Sequence, residues 1–232
     1  MGSPAGPTPR YGSGLLNDTG MDLCGGATGR NNLPCPVEGF SGQDGDHGRD
    51  AQARAGNLPK IGGGVAGFDF TKLNSGGTPL AASATSWTCV RDNHTELVWW
   101  INKGGSYSWY DPDNTTNGGD AGTQNGGICT GSSCDTHALI QHANNVAPCG
   151  FTDWRLPTRL ELMGIMHNGY MVVDSYGNGF DTDYFPEVWA LWTSQTDARV
   201  THGAWIISFR PNYQNHASKS GHLDTWLVRG NQ

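Results

Sequence analysis

The chain is poor in charge. Only 15% of its 232 residues are Asp, Glu, Lys or Arg, against about a quarter in an ordinary globular domain. The balance is 14 basic to 21 acidic residues, a formal net charge of −7. That argues against non-specific binding to nucleic-acid backbone, which needs many Lys and Arg, and against anionic membrane surfaces. No run of 18 apolar residues occurs, so nothing reads as a membrane-spanning helix. No signal peptide is legible, and Met1-Gly2-Ser3 reads as a scar where a leader was removed. Catalytic signatures are missing too. There is no HExxH, GxSxG or Walker motif, and the eight His are scattered. No two Cys form a CxxC pair.

What is present is glycine, 35 residues of it, with nine Trp and seven Tyr. A chain this rich in turns and only 36% hydrophobic needs large aromatic side chains to hold a core together. Trp99, Trp154, Trp192 and Trp205 are expected in that core. Six Cys in a loop-rich chain point to disulfides and export. Cys24/Cys35 and Cys129/Cys134 each lie in a Gly-rich turn segment, which leaves Cys89 and Cys149 to pair across a long loop. Zinc is the competing reading of the cysteines, against which stand the irregular Cys–His spacings.

Residues 1–20 read as a flexible arm, and 21–86 as a Gly-rich extension packed on the core. Within it 21–65 reads as surface loops, and Phe68, Phe70 and Leu73 as a short strand. Residues 87–232 read as the binding domain. Trp87–Val90 and Leu97–Ile101 have strand character, and 102–134 returns to turn chemistry. Two helices follow. Asp135 N-caps the first, with Ala138, Leu139, His142 and Val146 on its packing face. Thr158 and Glu161 form a capping box on the second, with Leu160, Met163, Gly164 and Met166 as its stripe. His142 and His167 read as helix-surface or core residues. Strands at Leu191–Ser194, Ala204–Phe209 and Thr225–Arg229 close the chain as a meander. The class is α+β, loop-rich, with two helices and short antiparallel strands.

Several of these segments, in order, resemble a known family. They are Cys89-Val90-Arg91-Asp92-Asn93, Trp154-Arg155-Leu156-Pro157-Thr158 with Glu161-Leu162, Asp183-Tyr184-Phe185-Pro186, Trp192-Thr193-Ser194, Ala204 to Phe209, and Leu227-Val228-Arg229-Gly230. Together they resemble the bacterial Lcl C-terminal domain family, over about residues 87–230. The resemblance implies a C-type lectin-like fold of the formylglycine-generating-enzyme type. It also implies extracytoplasmic proteins, often lipoproteins or adhesin tips, one branch of which binds sulfated polysaccharide. Another branch supplies variable proteins of diversity-generating retroelements, whose 3′ gene ends are rewritten through adenine miscopying. The formylglycine-generating relatives use copper-binding Cys in the C-terminal region. This chain has no Cys after Cys149, so that chemistry is not expected, and neither is an enzyme.

The last forty residues depart from the family's usual pattern. Between framework residues stand Arg199, Thr201, His202, Ile206, Ser208, Arg210, Asn212, Tyr213, Asn215, His216, Lys219, His222, Leu223, Asp224 and Trp226. This mixture fits no catalytic constellation. It fits a surface of ligand contacts on a fixed scaffold, with Tyr213 and Trp226 as aromatic anchors and Arg199 and Arg210 as charged donors. The expected function is non-catalytic binding of a protein or glycan on another cell surface by an exported, lipid-anchored receptor or adhesin. The retroelement-diversified form stands first, and a fixed polysaccharide-binding adhesin second. No cofactor is expected beyond a structural Ca²⁺. Asp111, Asp113 and Asp120, or Asp44, Asp46 and Asp50, or Asp181 and Asp183 could supply its hard oxygen ligands.

Overall fold

A computed structural model describes residues 15–29, 32–130, 133–169, 179–209 and 212–230. Twelve short strands and three helices are placed among them. The extension begins with a two-strand ribbon, β1 (Leu23–Cys24) and β2 (Leu33–Pro34), closed by the Cys24–Cys35 disulfide. Helix α1 (Gly48–Arg54) follows, where the sequence reads as surface loop. Its Gly-rich entry hides it: the buried Asp50 in its first turn is what ties it down.

The central sheet has the order β12-β5-β4-β3, all antiparallel. Its strands are β3 (Phe70–Leu73), β4 (Cys89–Asp92), β5 (Val98–Trp100) and β12 (Leu227–Arg229). The last residues of the chain thus pair with a strand some 130 positions earlier, and β3 of the extension is part of the same sheet. Register puts Lys72, Val90, Trp99 and Val228 in one cross-strand row. The next row is Leu73, Cys89, Trp100 and Leu227. Alternate rows point to opposite faces, and both faces are covered. Phe68, Phe70, Val90 and Trp99 pack with Phe180, Phe185 and Trp226 on one side. Leu73, Cys89 and Val98 pack with Trp109, Trp154 and Trp192 on the other. A sheet buried on both faces has near-continuous apolar strands, as in Leu97–Ile101.

Strands β6 (Gly105–Ser108) and β7 (Ile128–Cys129) lie in the stretch read as turns, and β6 also pairs with β11 (His222–Leu223). The Cys129–Cys134 and Cys89–Cys149 disulfides form as expected from the sequence. Helix α2 (Thr136–Val146) is capped by Asp135, whose side chain accepts from Ala138 N. Its buried face is Thr136, Leu139 and Ala143. His142 and Val146, expected on that face, are exposed.

Helix α3 (Arg159–Met163) carries the capping box in full. Its buried residues are Glu161 and Leu162, followed by Ile165 and Met166, whereas Leu160 and Met163 point to solvent. The expected stripe is rotated because Glu161 turns inward. Its carboxylate accepts from Arg155 and from the Thr158 amide. The architecture is α+β with several small antiparallel sheets. No helix among the described residues is long and apolar enough to cross a membrane.

Candidate functional site

The C-terminal meander is a three-stranded antiparallel sheet of β8 (Ala190–Asp197), β9 (Val200–Phe209) and β10 (Asn212–Ser218), in the order β10-β9-β8. Both faces of β8 and β9 are packed. Leu191, Ile207 and Phe209 join the first core cluster, and Ala190, Trp192, Ala204 and Ile206 join the second. Helix α3 lies against these two strands. β10 is the edge strand, with Tyr213, Gln214 and Asn215 exposed. The residues expected as ligand contacts therefore divide sharply.

Arg199, Thr201, His202, Tyr213, Asn215, His222 and Asp224 are exposed, and His216 and Leu223 are half-buried. Four others are interior, contrary to that expectation. Ile206 and Ser208 are buried within β9. Trp226 is 1% exposed and stacks on Phe185 at 5.6 Å between ring centroids. Lys219 is 2% exposed. Arg210 lies outside the described residues, and of Asn212 only its place in β10 is described.

Trp205 and Trp226 exchange the roles the sequence predicts for them. Trp226 is core. Trp205 is half-buried, with the Arg159 guanidinium 4.5 Å and the Arg199 guanidinium 5.3 Å from its ring centroid. Cations this close to an indole face are held by its quadrupole. Trp205 pairs with His216 across β9 and β10. Ile207 and Phe209, further along β9, are buried.

Asp197 organises this end of the meander. Its carboxylate accepts from Arg199 Nη2 at 2.8 Å and Nε at 3.0 Å, and from the Arg199 amide at 2.9 Å. His216 Nδ1 is 2.9 Å from Asp197 Oδ2, though not aligned for a hydrogen bond. The Arg199 bonds hold the Asp197 pKa down at about 2. Arg199, Trp205 and His216 are thereby gathered, with Thr201 and His202 on the strand between. A concavity of about 620 Å³ opens beside them, lined by Arg159, Gln195, Arg199 and Trp205. It adjoins a second of about 410 Å³, lined by Tyr110, His137 and Ile140, and the two share Thr116 and Ser194. Arg159 and Gln195, bonded to each other at 3.2 Å, are groove residues that sequence reasoning missed. Arg159 lies outside the C-terminal stretch, and only its motif position beside the capping box marked it.

The remaining contacts are dispersed. Tyr213 is opposite Ser208, to which Ala190 also pairs. The neighbouring Trp189 is 62% exposed, so a second aromatic surface lies at the far end of the sheet. His222 and Leu223 pair with β6 instead, and His222 Nδ1 is 3.2 Å from Ser106 Oγ.

The carboxylates of the acidic loops bond within the protein. Asp111 and Asp113 accept from Thr116, Thr115 and the Asp113 and Thr115 amides within their own turn. The Lys219 ammonium enters that loop, donating to the carbonyl oxygens of Asn117 and Asp120 and lying 4.5 Å from the Trp109 centroid. Gly122, at φ 82°, lets the chain pass close under the Trp109 carbonyl, where a Cβ would collide. Asp181 accepts from the Val65 and Asp183 amides. Asp44 accepts from Thr19, and Asp50 from the Gly67 amide. Cys24, Cys35 and Asp46 form the one cluster of three metal-ligand types among the described residues. The two sulfurs are joined in a disulfide, so they offer no thiolate to zinc.

One comparison with known proteins decides the family. The Lcl C-terminal domain matches residues 88–229. The chain belongs to the Lcl C-terminal domain family. No curated protein and no solved structure matches it. The Lcl C-terminal domain here starts at β4 and ends in β12, so the matched segment holds three of the four strands of the central sheet, both capped helices and the whole meander. The strand β3 that completes the sheet comes from outside it. The three disulfides fit an exported protein.

Proposed function

We propose that this Lcl C-terminal domain is a non-catalytic ligand-binding module of C-type lectin-like fold, displayed at the cell surface on a lipid anchor. Its contact surface is the Arg199–Trp205–His216 end of the meander and the adjoining groove. The observation that carries the reading is the separation of roles along β9 and β10. Residues that hold the sheet are buried, whereas Arg199, Thr201, His202, Tyr213 and Asn215 are exposed on it. Loops and edges on a rigid scaffold are where contacts can differ at little cost to folding.

Exchange of those exposed codons by a diversity-generating retroelement is the form of this reading we favour. The exchangeable set is then narrower than the sequence implies, because Ile206, Ser208, Lys219 and Trp226 belong to the scaffold. Sequencing the DNA downstream of the gene tests it. The expected result is a near-copy of the codons for 189–230 beside a reverse-transcriptase gene, differing where the copy has adenine. Absence of any such copy rejects diversification.

A fixed adhesin for sulfated polysaccharide is the second reading. What favours it is the Arg159 guanidinium, set over the Trp205 indole in the groove and bonded to no carboxylate among the described residues. Guanidinium binds sulfate through paired hydrogen bonds. Dextran sulfate titrations separate the two readings. A fixed adhesin binds it with strong salt dependence and loses it in Arg159→Ala, whereas a diversified binder for another ligand shows neither.

A further inference from the structure

A larger concavity, of about 740 Å³, lies away from the meander on one face of the central sheet. Its floor is the cross-strand row Thr71, Arg91, Val98 and Arg229. Its walls are the 77–82 stretch of the extension and the Phe151 ring. It is therefore built from both the family domain and the segment preceding it. The volume suits a small organic ligand.

Arg91 distinguishes this floor. Arg49, Arg54, Arg155, Arg159, Arg199 and Arg229 each donate hydrogen bonds to a carbonyl, an amide oxygen or a carboxylate. Arg91 is exposed and makes no hydrogen bond or ion pair among the described residues. Arg229, two strands away in the same row, is already matched, bidentate to Asp153 at 2.8 and 3.0 Å and stacked on Phe151 at 4.3 Å. Thr71, paired with Arg91, accepts from Asn93 Nδ2 at 2.8 Å and keeps its own hydroxyl hydrogen to donate. The lining otherwise offers Leu73, Leu80, Val98 and Phe151, with Glu96 the one acid. The Lys72 ammonium is committed elsewhere, to the Ala82 and Ala84 carbonyls.

We propose that this concavity binds a small amphiphilic anion. Its carboxylate or sulfonate head would be held by the Arg91 fork and the Thr71 hydroxyl. Its apolar body would lie over Val98 and Leu80 toward Phe151. A planar guanidinium with five donors and no partner matches such a head bidentately. Apolar walls take up the rest.

The test is a fluorescence titration of the whole chain with anilinonaphthalene sulfonate, followed by displacement with decanoate. Wild type should show one saturable site that decanoate empties. Arg91→Ala should weaken the dye by about tenfold or more, the loss of a charge-assisted bidentate contact. Arg91→Lys should fall between. Arg91 is exposed, so unchanged near-ultraviolet dichroism in the variants will show that the fold is intact. Wild type with no saturable site below about 1 mM, or Arg91→Ala binding as tightly as wild type, would overturn the proposal.

Discussion

The Lys219 ammonium donates to the Asn117 carbonyl oxygen at 2.9 Å, in the interior of the 111–122 loop. A side chain expected at the ligand surface instead fastens the end of β10 to a distant turn. Burial lowers its pKa from the ordinary lysine value, with Asp120 and Asp111 opposing that shift.

This placement makes Lys219 structural. Lys219→Ala strips the Asn117 and Asp120 carbonyls of their donor inside the protein. It should destabilise the fold by about 2–4 kcal/mol, measured by equilibrium denaturant unfolding. Millimolar Ca²⁺ should leave the wild-type melting temperature unchanged, because the ammonium already satisfies those oxygens. A clear rise with Ca²⁺ would return the loop to the cation-site reading.

Asp50 gives stability an unusual pH dependence. It is 1% exposed, accepts from the Gly67 amide, and leaves Oδ2 without a partner. Burial, with Asp18 and Asp44 nearby, raises its pKa from 3.8 to about 6. The folded form then holds a proton that the unfolded form has lost between those two values. Stability from this group is therefore present in full below about pH 4 and lost as pH rises through about 6. The shift corresponds to at most about 3 kcal/mol. Asp50→Asn keeps an acceptor for Gly67 and should remove the slope. Unfolding free energies of both proteins at pH 4.5 and pH 7 would check it, the difference between them shrinking toward the acid side.

Glu161 behaves in the opposite sense. Burial pushes its pKa up, but the hydrogen bonds and charge of Arg155 and the Thr158 bonds outweigh this and leave it lowered. Its contribution is complete above the unfolded glutamate value and is lost as pH falls through the lowered one. Glu161→Ala breaks both the Arg155 pair and the capping box. A loss of about 3–5 kcal/mol is expected, and Glu161→Gln, which keeps acceptors for Thr158, should lose less. Thermal melts near neutral pH suffice to rank the two.

Local chemistry made some of this legible in the sequence. Asp135 and Thr158 cap helices because side-chain oxygens answer to amides three residues on. The cysteine pairs follow from segments that turn tightly. What stayed hidden depends on long-range geometry. Nothing near Lys219 signals that its ammonium meets residues 117 and 120, about a hundred positions away. Trp205 and Trp226 each follow a small residue and precede an aliphatic one, and only the packing of Phe180 and Phe185 on Trp226 separates core from surface. The rotated faces of α2 and α3 have the same origin, since tertiary contacts choose among several apolar stripes. Helix α1 escaped because the Gly-rich stretch before it masks the good helix formers Ala51, Gln52, Ala53 and Arg54.

The central claim is that the meander folds without its exposed side chains. The direct measurement is equilibrium unfolding of a variant with Thr201, His202, Tyr213 and Asn215 all exchanged for other polar residues, set beside Trp226→Ala. The account predicts a melting temperature within about 4 °C of wild type for the first. For the second it predicts a loss of about 3–5 kcal/mol, as for other buried aromatics. A four-fold variant that unfolds as readily as Trp226→Ala would contradict the account, for the contact surface would then be part of the scaffold.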